Sequence, residues 1–394
     1  MFRRIIMNRF ISIVAITIGL FLFCSIKVHS QESDKFSEIK TFVDKWKDLK
    51  SVSYDAEKED KNLFSDDTVR SFERSELFFD SANMLIASKE INISEDWNLT
   101  NLYNGEKTYF IDNDKMSYSI AKRNRTTHKI FGQSGIIDSI SFYLFNNINK
   151  IEIMADTLIH GFKCSYFKFI SYEVIKNGEK FYTYYFFAFD KNSYDPILYQ
   201  EISRGQASAK GYSLGVINVF SKTWFKNVNR NNLSFEISNF SPPSTAKLEE
   251  GDVRELLKKG DENPKWETRS LDGNIFNSAD FKGKYSLLFL SVTDCPANQL
   301  SVKVINNMID RFGKRIQVIG IYDERDERLR NYIKSNHLKF PVIANGKVIK
   351  SKYNATGSPY YYLIDKDGKI FFSQSGYNED LEGELIKNIE EMDR

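Results

Sequence analysis

The chain has 394 residues, with 55 Lys or Arg against 53 Asp or Glu and a formal net charge of +2 at neutral pH. Both signs are interspersed, so no basic stripe marks a nucleic-acid binder, and His29, His128, His160 and His337 are too scattered to suggest a metal site. With 41% hydrophobic and 14% aromatic residues, the chain carries enough apolar material to bury a large core.

Residues 1–30 read as a secretory signal peptide: Arg3, Arg4 and Arg9 precede an apolar run from Phe10 to Cys24, and small residues follow near Ser30. A retained membrane anchor is the competing reading of the same run. Lipid attachment at Cys24 is disfavoured by the bulky Phe23 before it. The segment holds four of the basic residues and none of the acids, so the remainder is close to neutral. The roughly 364 residues left exceed what one hydrophobic core usually serves, and two domains are expected. Only Cys164 and Cys295 fall beyond the leader, too few for a disulfide scaffold, and Cys164 is expected to be a buried free thiol.

Phe36, Ile39, Val43, Trp46 and Leu49 recur at three- and four-residue spacing, which predicts an amphipathic helix. From about Val69 to Phe240 short alternating runs divided by turn residues predict an antiparallel β domain. The hairpin Trp97–Tyr103, Asn104-Gly105, Thr108–Ile111 is followed by a strand Met116–Ile120. Further strands are expected over Ile151–Ile159, Phe162–Ile170, Phe181–Asp190, Ile197–Ser203, Val216–Phe225 and Leu233–Phe240, with one helix, Ile136–Asn147, between them. A helix, a long meander and an inserted helix behind a leader resemble the LolA-like lipoprotein-carrier half-barrels. That resemblance rests on architecture without a diagnostic motif, and it implies an apolar ligand or lipoprotein as partner. The plainer reading of Phe181-Tyr182-Thr183-Tyr184-Tyr185-Phe186-Phe187 is core and cross-strand packing.

Ser241-Pro242-Pro243-Ser244-Thr245 breaks the pattern and a charged stretch follows, so the organisation reads as a β domain over 31–245, a linker over 246–260 and a second domain over 261–394. In the second domain, strand Tyr285–Val292, helix Gln299–Phe312, strand Ile316–Tyr322, helix Arg325–Asn336, strands Tyr360–Ile364 and Ile370–Ser375 and a closing helix Asn378–Met392 alternate as in an α/β sheet. Cys295 stands where strand gives way to helix, a place that fixes a thiol and offers unpaired N–H groups to its thiolate.

Gly260-Asp261-Glu262-Asn263-Pro264-Lys265-Trp266, Phe281-Lys282-Gly283-Lys284-Tyr285, the Cys295 junction, Leu338-Lys339-Phe340-Pro341-Val342, Thr356-Gly357-Ser358-Pro359 and Leu363-Ile364-Asp365-Lys366-Asp367-Gly368 occur in the order seen in TlpA-type thioredoxin-like proteins. The resemblance implies a thioredoxin fold, extracytoplasmic thiol-disulfide exchange with protein thiols or disulfides, and a periplasmic or cell-envelope location. It makes Cys295 the nucleophile and Ser358-Pro359 the cis-prolyl loop that pairs with an extended substrate.

Three parts of that family's dithiol machinery are replaced. Asp294 stands for the tryptophan of Trp-Cys-x-x-Cys, Asn298 for the resolving cysteine, and Phe289 for the buried acid of thioredoxin. Asn298 leaves no internal thiol to release a mixed disulfide, and Asp294 sets a negative charge beside the sulfur. A one-cysteine peroxidase would need Pro and Thr or Ser where Leu288 and Val292 stand. The expectation is single-thiol exchange at Cys295 or a redox-degenerate relative, without metal or cofactor. The alternative is a non-enzymatic envelope binding protein whose redoxin domain is structural.

Overall fold

The computed structural model describes residues 36–46, 49–65, 67–81, 84–122, 148–209, 211–234, 236–249 and 255–392. The expected leader and the expected helix Ile136–Asn147 lie outside the described residues. Among the described residues, no helix is long and apolar enough to cross a membrane.

Residues 36–46 form helix α1, and its apolar stripe, Ile39, Phe42, Val43 and Trp46, is fully buried. It packs on one face of a large sheet built from β1 (Ser51–Lys61), β2 (Thr68–Phe79), β3 (Leu85–Ser94), β4 (Asn98–Tyr103), β5 (Lys107–Asp112), β6 (Ser117–Lys122), β7 (Ile151–Ile153), β8 (Thr157–Ile159), β9 (Phe162–Lys176), β10 (Glu179–Asp190), β11 (Pro196–Ala209), β12 (Tyr212–Arg230) and β13 (Lys247–Leu248). The order is β13-β6-β5-β4-β3-β2-β1-β12-β11-β10-β9-β7, with β8 also on β9; every pair is antiparallel except β13 with β6. Turn chemistry sets the hairpin of β9 and β10. Asn177 and Gly178 both have positive φ, the backbone a two-residue turn needs to match strand twist.

Phe42 lies 4.9 Å from Phe187 and 4.8 Å from Phe189, ring centre to ring centre, and Trp46 Nε1 donates to Tyr194 O at 2.9 Å. This part of the sheet's apolar face is thus covered by the chain's own helix. The N-terminal region is a large, mostly antiparallel sheet with a helix packed on one face, without evidence of the expected half-barrel, and the aromatic run Phe181–Phe187 contributes core and cross-strand contacts.

The sheet departs from expectation in three places. It begins at Ser51, because the charged run Asp55–Lys61 is strand: its acids and bases are paired across the sheet, Asp55 with Arg74 at 2.7 Å, Glu59 with Arg70 at 3.2 Å and Glu57 with Lys226 at 2.6 Å. Ile151–Ile159 is two short strands, both on β9, and Met154 N bonds Tyr166 O where they separate. Leu233–Phe240 is no strand. The chain leaves the sheet at Asn231, whose φ is +56°, and a short 3-10 turn over Ile237–Phe240 plugs Phe240 edge-on against Phe78.

The C-terminal region is an α/β layer structure of thioredoxin type. A hairpin of β14 (Glu267–Arg269) and β15 (Ile275–Asn277) precedes a five-stranded sheet of β16 (Tyr285–Ser291), β17 (Ile316–Tyr322), β18 (Val342–Ile343), β19 (Tyr360–Ile364) and β20 (Ile370–Ser375), ordered β18-β17-β16-β19-β20. Its helices are α2 (Pro296–Phe312), α3 (Asp326–Asn336), α4 (Lys347–Lys352) and α5 (Leu381–Met392). Every residue of β16 is buried because both faces are covered, which is why its sequence reads as an unbroken apolar run. Leu287 and Phe289 join the core under α2, α3 and α5, whereas Leu288 and Leu290 join that of Trp266, Phe281, Ile349 and Tyr353.

On the N-terminal sheet, Glu73 is almost fully buried and accepts from Tyr54 at 3.0 Å, Ser75 at 2.8 Å and the Lys58 ammonium. Burial opposes its ionisation, but the Lys58 charge and these hydrogen bonds outweigh that and hold its carboxyl below the ordinary glutamate value. The stability so gained is present above the unfolded-state pKa and is lost as pH falls through the folded one. Lys58→Met leaves the charge buried without its partner and should cost about 3 kcal/mol near neutral pH. Denaturant midpoints should show that deficit shrinking in acid, where Glu73 is protonated in the variant.

Candidate functional site

Strand β16 ends at Ser291, and four residues later Cys295 caps α2 with extended backbone, φ −86° and ψ 123°. Pro296 takes the first helical position, where a missing N–H costs nothing, and Cys295 O accepts from Asn298 N at 3.0 Å and Gln299 N at 3.4 Å. No side chain caps the helix, so the positive end of its peptide dipoles faces the region of the sulfur. The expected helix start at Gln299 moves back to Pro296 for this reason.

The Ser358-Pro359 peptide is cis, and Cys295 Sγ lies 4.0 Å from Ser358 O. The half-buried sulfur thus sits against the loop that the sequence pairs with it. Asn298 is fully buried: its Nδ2 donates to Val292 O at 2.6 Å and its Oδ1 accepts from Ser358 Oγ at 3.1 Å. This amide bridges the end of the central strand and the prolyl loop. Asp294 is exposed.

Phe289 is fully buried, stacked on Tyr361 at 5.6 Å and edge-on to Tyr322 at 6.0 Å, so aromatic rings fill this position of the central strand. Tyr361 shares a hydrogen bond with Ser301, and Tyr332 accepts from Gln299 Nε2 at 2.8 Å. Burial pushes both phenols well above the ordinary tyrosine value, with smaller contributions from the nearby Cys295 sulfur among others, so both stay neutral beside it.

Four groups in this region were not legible as site residues. Thr293, fully buried, donates from N at 2.7 Å and from Oγ1 at 3.0 Å to Glu324 Oε1. Asn62, from the loop between β1 and β2, donates from Nδ2 to Thr293 Oγ1 at 3.2 Å. The buried Lys350 clamps the end of β16 by donating to Ser291 O at 3.2 Å while pairing with Asp323 at 2.9 Å. Glu324 itself stands in the run Asp323–Arg328, which reads as a solvated helix start; the helix begins only at Asp326, and Glu324 is 7% exposed. The other cysteine, Cys164, is buried and free, and burial pushes its thiol up to about 11.

Residues 259–373 match the AhpC/TSA family. Thiol-disulfide oxidoreductase ResA of Bacillus thuringiensis is 32% identical over 141 residues, a match covering 34% of this chain and 80% of that protein. The thioredoxin-like protein YneN of Bacillus subtilis is 22% identical over 118 residues, covering 29% of this chain and 69% of that one. Among solved structures, a thiol:disulfide interchange protein of the thioredoxin family from Chlorobium tepidum aligns at 20% identity with a TM-score of 0.31, over 34% of this chain and 97% of its own.

Burial raises the Glu324 carboxyl above its ordinary value, against the hydrogen bonds from Thr293 and the charge of Arg328. The folded chain therefore holds a proton there that the unfolded chain releases. Stability from this group is full below the unfolded-state pKa and declines as pH rises to the folded one, then stays level. Glu324→Gln should remove that decline, read as denaturant midpoints across the acidic range.

Proposed function

This chain belongs with the ResA-like thiol-disulfide oxidoreductases of the AhpC/TSA family, and we propose that its C-terminal domain performs single-thiol exchange at Cys295. The observation that carries the reading is the sulfur's seat, at the head of α2 and 4.0 Å from Ser358 O, with an amide instead of a thiol at position 298. The thiolate attacks one sulfur of a substrate disulfide, a Cys295–substrate S–S bond forms, and the other substrate sulfur leaves as thiolate. An external thiolate, from another protein cysteine or a small thiol, then attacks the substrate sulfur and expels Cys295 unchanged. Each step breaks one S–S bond and makes one, so the number of disulfides and the oxidation state of Cys295 are unchanged over the cycle, while the leaving substrate sulfur is reduced and the external thiol is oxidised into the new disulfide. The Ser358 backbone beside Pro359 holds the extended substrate, Asp294 adds an exposed negative charge next to the entry, and Asn298 keeps the loop in place of resolving the adduct.

Peroxidase chemistry is the weaker reading. Leu288 is buried core, Val292 has no hydroxyl, and the hydroxyl of Thr293 is engaged by Glu324 and Asn62. The leader read in residues 1–30 supports action outside the cytoplasm, where disulfides persist.

Trapping tests this function. Reduced full-length chain exposed to envelope extract should yield covalent adducts that vanish with reductant and are absent in Cys295→Ser; adducts that survive that substitution overturn the assignment. Asn298→Cys supplies the missing internal thiol at the cost of two hydrogen bonds, about 1–2 kcal/mol. Its adducts should decay at least about tenfold faster, and mass analysis should find Cys295 left in an internal disulfide with the introduced thiol.

A further inference from the structure

The two domains meet beside the sulfur. The loop after β1 reaches across with Phe64, which packs against the redoxin core, while Asn336 Nδ2 donates to Phe64 O at 2.8 Å and Asn331 Nδ2 to Asp67 Oδ1 at 2.5 Å. Farther along, Asp96 in the turn between β3 and β4 pairs with Arg328 at 3.1 Å and Arg325 at 3.6 Å. Such contacts would join any two packed domains. The contact of Asn62 is different, because it ends on Thr293, two residues before Cys295.

Asn62 is 6% exposed and its orientation is fixed from both ends. Its Oδ1 accepts from Phe64 N at 2.9 Å and its own N donates to Asp67 O at 2.8 Å, so the Nδ2 must point outward to Thr293 Oγ1. A flipped amide would oppose donor to donor at Phe64. Because Thr293 Oγ1 accepts from Asn62, its single proton is directed to Glu324 Oε1, which also takes the Thr293 N–H. Glu324 Oε2 has no hydrogen-bond partner among the described residues, so the side-chain hydrogen bonds that hold this carboxyl in the turn converge on Oε1 and come from Thr293. The turn 292–294 is thereby tied on one side to Asn298, through Val292 O, and on the other to Asn62 and Glu324.

We propose that Asn62 is a positioning residue for Cys295: the N-terminal domain completes the redox site by fixing, through Thr293, the turn that presents the sulfur. The inference deepens the exchange reading given above and rests on it for its catalytic meaning. The substrate disulfide must meet a sulfur aligned with the Ser358 loop, and alignment of this kind is sensitive to shifts well below a side-chain length.

The experiment uses the full chain and four proteins: unsubstituted, Asn62→Asp, Thr293→Val and Thr293→Ser. Asn62→Asp keeps the acceptor for Phe64 N and removes the donor; Thr293→Ser keeps the hydroxyl that Thr293→Val deletes. The first readout is amide hydrogen exchange over residues 291–300, which needs no reactive thiol. Exchange there should speed up about tenfold in Asn62→Asp and Thr293→Val, and stay within about twofold of the unsubstituted chain in Thr293→Ser. The second readout is glutathionylation of Cys295 by oxidised glutathione, followed by intact mass, which should slow about tenfold in the first two variants and recover in Thr293→Ser. Unchanged exchange in Asn62→Asp overturns the inference, as does faster exchange with an unaltered glutathionylation rate. If exchange responds as expected but the unsubstituted Cys295 reacts no faster than in the unfolded chain, the positioning contact stands and the exchange function falls.

Discussion

The arrangement around Cys295 depends on one fully buried amide. Asn298 lies at the depth where burying an unsatisfied polar group costs about 1–3 kcal/mol, and both of its functional ends are used, one on Val292 O and one on Ser358 Oγ. A cysteine there could make neither bond well. The replacement that removes the internal resolving thiol is thus also a structural strap, and it joins the very elements, strand end and prolyl loop, whose spacing defines the sulfur's neighbourhood.

The strap works because the frame beneath it cannot yield. Strand β16 is buried on both faces, Phe289 fills its middle with stacked and edge-on rings, and Lys350 closes the strand's last carbonyl from below. Aromatic packing also removes ionisable groups from the strand under the sulfur. Tyr332 and Tyr361 lie close to Cys295 but stay neutral, so what reaches the thiol from them is a dipole and not a charge. Of the acids around the turn, Asp294 is exposed to solvent and the buried Glu324 has its Oε1 engaged by Thr293. The site is consequently built to hold a sulfur in place more than to shuttle protons to it, which suits exchange between thiols that trade their protons with solvent.

Much of the C-terminal fold was legible. The strands Ile316–Tyr322, Tyr360–Ile364 and Ile370–Ser375 coincide with their apolar runs, because each is bounded by turn residues or by a helix start that reads locally. The junction at Cys295 and the loop at Ser358-Pro359 were visible as motifs, and the structure brings them together. What stayed hidden was whatever depends on distant partners. The charged run Asp55–Lys61 looks solvated until Arg74, Arg70 and Lys226 are seen across the sheet. Leu233–Phe240 has strand-like alternation, yet Asn231 turns the chain out of the sheet before it can pair. Asn62 carries no local mark at all, since its meaning lies in a threonine on the other domain.

That last case bears on how the two halves relate. Phe64 contributes apolar surface to the redoxin core, while Asp96 offers charge to Arg328 and Arg325 at the start of α3. Apolar insertion is insensitive to salt and the partly exposed ion pairs are not, so the junction has one component that persists and one that weakens with ionic strength. The persistent component is the one adjoining Asn62. Loosening the Asp96 end would free only the start of α3, because Asn331 and Asn336 still tie the rest of that helix to the loop at Phe64, which goes on holding the turn before Cys295. The division places firmness next to the sulfur and compliance away from it, an order that follows from where the apolar side chain and the charges fall along the chain.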